Sequence, residues 1–253
     1  YVTRVGREPL STALVGQAKA EGLDVSHIAV DDERNIGIYA VATDAHGERS
    51  FSYWRSQSAA RRLFAVEETA LFMPHADIIY LSGITLAILT QAARSRLFDM
   101  LAGMRETNGT RVAFDSNFRP ALWEDVATTR AAMERMWRIT DIALPSIDDE
   151  MAISGLESET AVIDRFAGRE WDGIAIKRGV RGPVSPHIAE ADMPDFPPAE
   201  TVVDTTAAGD SFNAGYLAAF LNGARDLDRM RAGHRLAARV VGAPGAIMPR
   251  GAG

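Results

Sequence analysis

The stretch TVVDTTAAGDSFNAGYLAAFL, residues 201–221, decides the fold, because it joins a run of small turn residues to an apolar helical face. From Phe212 onward, apolar residues recur at helical spacing, which predicts a helix that begins within residues 207–210. The free backbone N–H groups of its first turn belong to those four residues. Small side chains there let an anion approach the backbone, and the helix dipole favours negative charge. The stretch therefore predicts an anion site at a helix start.

An aspartate inside this first turn needs its own explanation. Asp210 is compatible with a favourable first-turn acid, but a carboxylate beside an anion site would repel the ligand unless it had a role. A carboxylate that takes a proton from a hydroxyl, while adjacent N–H groups stabilise a transferring phosphoryl group, has such a role. Gly215 inside the helix costs roughly 1 kcal/mol relative to alanine, so we expect it to mark tight packing of this helix on a sheet.

Composition bounds the class of protein. The chain has 253 residues, of which 47% are hydrophobic and 24% charged, enough for one domain or a core with an appendage. A formal charge of −7 argues against a nucleic-acid partner. The sequence has no cysteine, which excludes a disulfide framework and favours the cytoplasm. No apolar run approaches the roughly 20 residues that span a bilayer, so we expect no membrane partner.

Short β-branched runs alternate with longer segments of helical period, the pattern of a parallel α/β sheet. The predicted strands are residues 77–83, 111–117, 141–146 and 173–179, and predicted helices occupy residues 86–107, 126–140 and 227–241. The opening YVTRVGREPLS lacks a Met and is typical of a strand leading into a helix. We therefore expect an N-terminal part of the domain to be missing from this sequence.

Residues 36–55 break this alternation. They predict two strands around a turn at residues 44–47. The segment is compatible with an ordinary edge hairpin or with a lid, and a lid would explain the aromatic and cationic residues Tyr39, Tyr53, Trp54 and Arg55. We expect residues 1–35 and 56–253 to form the α/β core and residues 36–55 to form the β lid.

Polar residues follow each predicted strand of the sheet. In open parallel sheets, ligands bind at the carboxyl ends of the strands. These ends carry Ser82 and Gly83, then Asp115, Ser116, Asn117 and Arg119, then Ser146, Asp148, Asp149 and Glu150, and finally Lys177, Arg178 and Gly179. Each cluster alone is compatible with loop solvation or a helix cap. Four on one edge predict a shared site.

The stretch DTTAAGDSFNAGYLA, residues 204–218, closely resembles the C-terminal signature DTxGAGD of the ribokinase-like (PfkB) carbohydrate kinases. Ala207 replaces the first glycine of that signature, a change that we expect to cost little at a helix start. The segments GIYAVATDAHGERSFSYWRSQSAA, YLSGITLAIL, FDSNFRPALW and LPSIDDE are similar to those of family members that act on 2-keto-3-deoxygluconate. The resemblance implies a three-layer α/β sandwich with a mostly parallel central sheet and a small β lid.

The resemblance also implies an activity, the ATP-dependent phosphorylation of 2-keto-3-deoxygluconate to 2-keto-3-deoxy-6-phosphogluconate. It implies that Asp210 is the catalytic base and that the amides of Ala207, Ala208 and Gly209 form the anion hole. Contacts to the sugar acid would come from Tyr39, Tyr53, Arg55, Arg119 and Asp210. Contacts to ATP would come from Lys177, Arg178, Gly179, Gly182, Thr205 and Gly209. The Asn-x-x-Glu motif associated with Mg²⁺ is represented by residues 146–149, so the metal candidates are Asp149 and Glu150.

Two other readings stay open. The chain is also compatible with a ribokinase-like kinase for another acceptor, such as fructose, 2-deoxy-5-keto-gluconate or a nucleoside. A sugar- or nucleotide-binding protein without catalysis is the second alternative. A P-loop kinase and a Rossmann dehydrogenase are excluded, because the sequence has neither GxxxxGK[ST] nor GxGxxG. The oligomeric state is open, with a homo-oligomer among the possibilities.

Overall fold

The computed structural model describes residues 1–43, 49–65 and 73–248, and the chain divides into two compact units. The first unit comprises residues 1–77 and 85–110, and the second comprises residues 78–84 and 111–253. The predicted division placed residues 1–35 in the core, whereas they fall in the same unit as residues 36–55. The assignment of core and lid stays a prediction. Across the described ranges, no helix is both long and apolar enough to cross a membrane.

The first unit contains two small sheets. Strand β1 (Thr3–Val5) leads into helix α1 (Pro9–Ala20), as predicted, and pairs in parallel with β2 (Ile28–Val30). Strands β3 (Ile38–Thr43) and β4 (Arg49–Trp54) form an antiparallel pair, which confirms the predicted two-stranded excursion. The predicted turn at residues 44–47 lies outside the described residues.

The single helix predicted over residues 86–107 is wrong, because the structure has two helices there. Helix α2 (Gly83–Ile88) ends before Thr90, and α3 (Gln91–Asn108) begins after it. The Thr90 side chain caps α3 by accepting a hydrogen bond from the Ala93 N–H. A cap of this kind needs extended backbone at the capping residue, which interrupts the helix although the apolar spacing continues.

The second unit is built on a parallel sheet of four strands in the order β5 (Ile78–Ser82), β6 (Arg111–Asp115), β7 (Ile142–Ala143) and β8 (Gly173–Ile174). All four strands were predicted, but β7 and β8 are shorter than expected. One reason is Pro145, which has no N–H to donate to a ladder. Beyond it, pairing continues only as an isolated bridge between Ser146 and Lys177.

Helices cover both faces of this sheet. On one face, α7 (Ala208–Leu221) and α8 (Asp226–Val241) place Phe212, Tyr216 and Met230 in a buried cluster with strand residues. On the other, Trp137 of α4 (Val126–Ile139) contacts Phe114 and also Phe166 of α6 (Glu159–Ala167). Helix α5 (Ile147–Ser154) follows β7. The fold thus forms three layers within this unit.

Gly215 is explained by helix–helix packing and not by the sheet, so that expectation was wrong. A Cβ at Gly215 would lie 2.7 Å from the Ala232 carbonyl oxygen of α8, and one at Gly233 would lie 2.7 Å from the Phe212 carbonyl oxygen of α7. The two helices therefore meet backbone to backbone at these positions. This contact fixes α7 against α8.

Candidate active site

The turn that enters α7 has a left-handed residue immediately before the helix. Ala207 has φ 62° and ψ 13°, a conformation that side chains with a Cβ adopt at a cost of roughly 1–2 kcal/mol. The expectation that alanine costs little here is therefore wrong. Asp204 holds the turn, because its carboxylate accepts hydrogen bonds from the N–H groups of Thr206 (2.8 Å) and Gly245 (2.9 Å).

The left-handed turn decides which amides remain available to a ligand. The N–H of Ala208 donates to the Thr205 carbonyl at 3.2 Å and closes the turn. The expectation that the Ala208 amide is free is therefore wrong. Within the described part of the chain, the N–H groups of Ala207, Gly209 and Asp210 have no intramolecular acceptor. Three donors at a helix start, one of them on glycine, make a site for an anion.

Asp210 lies in the first turn of α7 and lines the same cavity as these amides. Burial raises the pKa of its carboxyl above the ordinary value, and the negative charge of Asp115 raises it further. The positive charges of Lys177 and Arg119 oppose this shift in part. A carboxylate with a raised pKa is a stronger base, which suits proton transfer from a hydroxyl group.

A buried ion pair lies beneath the turn. Strand β6 ends at Asp115, whose Oδ2 is 2.7 Å from Nζ of Lys177. Asn213, one helical turn after Asp210 in α7, donates from Nδ2 to the same carboxylate oxygen at 2.6 Å. Asp115 also accepts from the Asn117 N–H at 3.1 Å. Residues of β6 and α7 therefore hold the carboxylate that pairs with Lys177, which was predicted to contact ATP.

The two metal candidates, Asp149 and Glu150, lie in different surroundings. Asp149 lines the cavity, and its Oδ2 accepts from the Phe118 N–H at 3.1 Å. Burial raises its pKa, and the neighbouring carboxylate of Asp115 adds to the shift. Glu150 is fully buried, pairs with Arg165 at 2.9 Å and is not among the cavity-lining residues. Burial raises its pKa to about 7. Of the two, only Asp149 is placed to reach a ligand in the cavity.

The cavity has a volume of about 540 Å³, in the range of small-molecule sites. It brings together predicted site residues from four separate stretches of the chain: Arg119, Asp149, Lys177, Arg178, Gly179, Gly182, Thr205, Ala207, Ala208, Gly209 and Asp210. Gly182 has φ 74°, and a Cβ there would lie 2.4 Å from the Phe196 Cβ, so this position requires glycine for packing as well.

An apolar part of the cavity lining was not predicted. It comprises Val180, Pro198, Ala199, Val202, Ala237 and Ala238. His234 borders it, with Nε2 2.6 Å from the Pro197 carbonyl oxygen. An apolar lining together with cations and open amides suits a ligand with an apolar end and an anionic end.

The predicted lid residues lie in the other unit. Tyr39 and Tyr53 are directly opposite in the β3–β4 register, with ring centroids 6.1 Å apart. The Arg55 guanidinium carbon lies 4.1 Å from the centroid of the Tyr53 ring. Tyr39 and Tyr53 are both about half exposed, at 53% and 51%. This surface therefore presents a cation against aromatic rings.

Sequence reasoning missed Asn213 and Tyr80. Asn213 follows Asp210 by three residues, a spacing that places two side chains on one helical face, so the signal was present. Its Nδ2 also donates to the Tyr80 hydroxyl at 3.0 Å. No spacing in the sequence connects Tyr80 to Asn213, because these two residues come together only when α7 packs on the sheet.

The pfkB family carbohydrate kinase model matches residues 1–250. The chain belongs to the pfkB family of carbohydrate kinases. Among curated relatives of this kinase, 2-dehydro-3-deoxygluconokinase of Dickeya dadantii (strain 3937) is 40% identical over 255 residues, covering 98% of the chain and 82% of the relative. The family assignment expected from the signature around Asp210 is thus confirmed.

Solved structures of pfkB-type kinases share the fold. Fructokinase from Vibrio cholerae O395, in a form bound to fructose, ADP and calcium ion, has a TM-score of 0.80 at 25% identity, covering 97% of this chain and 80% of that one. A putative ribokinase II from E. coli, in complex with ATP and Mg²⁺, has a TM-score of 0.79 at 20% identity, covering 97% and 77%. The expected ribokinase-like α/β fold is confirmed.

Proposed function

We propose that this pfkB kinase transfers the γ-phosphoryl group of ATP to the terminal hydroxyl of 2-keto-3-deoxygluconate, also called 2-dehydro-3-deoxygluconate. Phosphoryl transfer is supported by one observation: Asp210 and open helix-start amides line the same cavity. The choice of acceptor is supported by the identity to the Dickeya dadantii kinase over nearly the whole chain.

In this proposal Asp210 accepts the proton of the acceptor hydroxyl as the oxygen–phosphorus bond forms, and ADP leaves. The raised pKa of Asp210 makes its carboxylate a better proton acceptor than an ordinary aspartate. The N–H groups of Ala207, Gly209 and Asp210, which have no acceptor among the described residues, would donate to the transferring group. Positioning and preorganised charge supply most of the catalysis in phosphoryl transfer.

The residues present fit ATP and Mg²⁺. The left-handed turn and Gly209 would give phosphate oxygens access to backbone N–H groups, and the apolar lining that includes Val202 suits a base. Asp149 is the carboxylate that would hold Mg²⁺, which when bound neutralises phosphate charge. Among the described residues, no group of three or more His, Cys, Asp or Glu side chains forms a metal cage. Mg²⁺ in nucleotide sites needs only one or two carboxylates.

The acceptor carries a carboxylate, and Arg55 is the cation that we assign to it. Guanidinium recognises a carboxylate through two parallel hydrogen bonds, and stacking on Tyr53 holds the group in a defined orientation. Tyr39 and Tyr53 would exclude water around this pair. Arg119, whose Nη1 donates to the Phe118 carbonyl at 2.8 Å, would bridge the sugar acid and the phosphoryl group.

A second acceptor class is favoured by one observation, the likeness to a fructokinase bound to fructose. A neutral sugar has no carboxylate for Arg55 to bind, so the effect of Arg55→Ala on the Michaelis constant separates the two classes. We further propose a cytoplasmic enzyme without nucleic-acid or membrane partners, supported by its acidic charge. A homo-oligomer remains compatible with this proposal.

The experiment that tests the base is Asp210→Asn, assayed for turnover and for ATP binding. We expect turnover to fall by about 10²- to 10⁴-fold while ATP binding is retained, because the amide keeps the shape but cannot take the proton. Asp164→Asn, an exposed acid in α6, is the matched control and should behave as the wild type. Comparable turnover in Asp210→Asn and the control would remove Asp210 as the base.

A further inference from the structure

The chain uses lysine almost nowhere, and one of its lysines is buried at the site. Two of the 27 basic residues are lysines, Lys19 and Lys177. Lys19 lies on the exposed surface of α1, whereas the Lys177 side chain is only 10% exposed and pairs with Asp115. A buried ammonium on a flexible stem needs partners for its N–H groups to stay in one position.

Asn213 is one of these partners, and every polar atom of its amide is hydrogen-bonded. Its Nδ2 donates to Asp115 Oδ2 (2.6 Å) and to the Tyr80 hydroxyl (3.0 Å), and its Oδ1 accepts from Lys177 Nζ (3.2 Å). The side chain is 1% exposed, so water cannot replace these bonds. Reversing the amide would turn oxygen toward a carboxylate and NH₂ toward an ammonium. The contacts therefore allow one orientation.

The ammonium held in this way lies next to the anion-binding turn. A Cβ built on Gly209 would lie 3.8 Å from Lys177 Nζ, which places the positive charge beside the first turn of α7. The Tyr80 hydroxyl accepts one N–H of Asn213 in this network. Burial raises the pKa of this hydroxyl, so it stays neutral and keeps accepting from Asn213. Side chains from β5, from the end of β6, from the segment after β8 and from α7 thus converge near the turn.

We propose that Asn213, supported by Tyr80, is a positioning residue that holds the Lys177 ammonium and the Asp115 carboxylate in place beneath the anion-binding turn of α7. A fixed positive charge at this point stabilises the transferring phosphoryl group without reorganisation during the reaction. The kinetic consequence rests on the proposed phosphoryl transfer. The positioning itself does not depend on the identity of the acceptor.

The presence of only two lysines allows a direct measurement of this positioning. In protein labelled with ¹⁵N-lysine, the Nζ signals are those of Lys19 and Lys177, and Lys19 is the internal reference. We expect the Lys177 ammonium protons to be protected from exchange with water in the wild type. Asn213→Ala should abolish that protection, and Tyr80→Phe should weaken it. Asn222→Ala, which removes an exposed amide at the end of the same helix, should leave it intact.

Steady-state kinetics supply the second readout. Asn213→Ala should lower kcat by about 10- to 100-fold, the range expected for lost hydrogen bonds to charged groups, with little change in the Michaelis constant for the acceptor. A loss of thermal stability alone, with Lys177 still protected and kcat unchanged, would show that Asn213 only packs and would overturn the proposal.

The inference can still be decided if the wild type is inactive or if Asn213→Ala does not fold. If the wild type phosphorylates no acceptor, the proposed function fails, and the exchange measurement on Lys177 still decides the positioning. If Asn213→Ala does not fold, Tyr80→Phe decides it, because removal of one hydroxyl leaves the packing of the ring in place. Unchanged Lys177 protection and unchanged kcat in Tyr80→Phe would then contradict the role of the network.

Discussion

Ala207 stores conformational strain at the anion-binding turn, and glycine should relieve it. At φ 62° an alanine pays roughly 1–2 kcal/mol that glycine does not pay. Glycine loses more backbone freedom on folding, at a cost of roughly 0.5–1 kcal/mol. The difference predicts that Ala207→Gly raises the free energy of unfolding by about 0.5–1 kcal/mol.

The matched control is the same substitution inside α7. Ala214 is exposed inside α7, where right-handed backbone favours alanine, so Ala214→Gly should lower the free energy of unfolding by about 1 kcal/mol. The two variants therefore differ in sign. Urea unfolding monitored by circular dichroism measures the free energy of unfolding of both variants. In thermal unfolding, the melting temperature of a chain of this size should shift by about 2–4 °C per kcal/mol.

The comparison has a clear contradicting result. If Ala207→Gly destabilises the protein as much as Ala214→Gly does, then residue 207 is not left-handed in solution. The assignment of open N–H groups to Gly209 and Asp210 would fall with it, since that turn determines which amides are free.

Three other perturbations test separate parts of the site. Arg55→Ala should raise the Michaelis constant for 2-keto-3-deoxygluconate about tenfold or more and leave that for ATP unchanged; an equal rise in both would contradict carboxylate recognition. The pH profile of kcat/KM should fall on acidification through a midpoint above 3.8, because the pKa of Asp210 is raised and the base must be ionised. Gly215→Ala should lower unfolding free energy by about 1–3 kcal/mol, whereas Gly103→Ala, with open space around its Cβ, should not.

The parts of the fold that depend on local pattern were predictable from the sequence. The start of α7 falls within the predicted window of residues 207–210, because small turn residues precede an apolar helical face. The break at Thr90 was missed, since the leucine spacing continues across it and only the capping threonine marks the boundary. The lengths of β7 and β8 depend on ladder partners that no single segment reveals.

The site was predictable where residues share a strand end, and not where they depend on distant partners. Asp149 and Glu150 are neighbours in sequence, but only the fold shows that Glu150 is turned to Arg165. The left-handed conformation of Ala207 contradicts the local preference of alanine, so it requires the surrounding structure. The contact of Lys177 with Asn213 links residues 36 apart and is equally invisible in the sequence.

The most direct test of the proposed activity is ADP release with Mg-ATP and a panel of acceptors. The panel comprises 2-keto-3-deoxygluconate, its galactonate epimer, fructose, ribose and adenosine. The proposal predicts turnover with the keto-deoxy acids and none with the neutral acceptors. Turnover with a neutral acceptor alone would contradict the assignment of Arg55 to a carboxylate and leave only the phosphoryl-transfer machinery around Asp210.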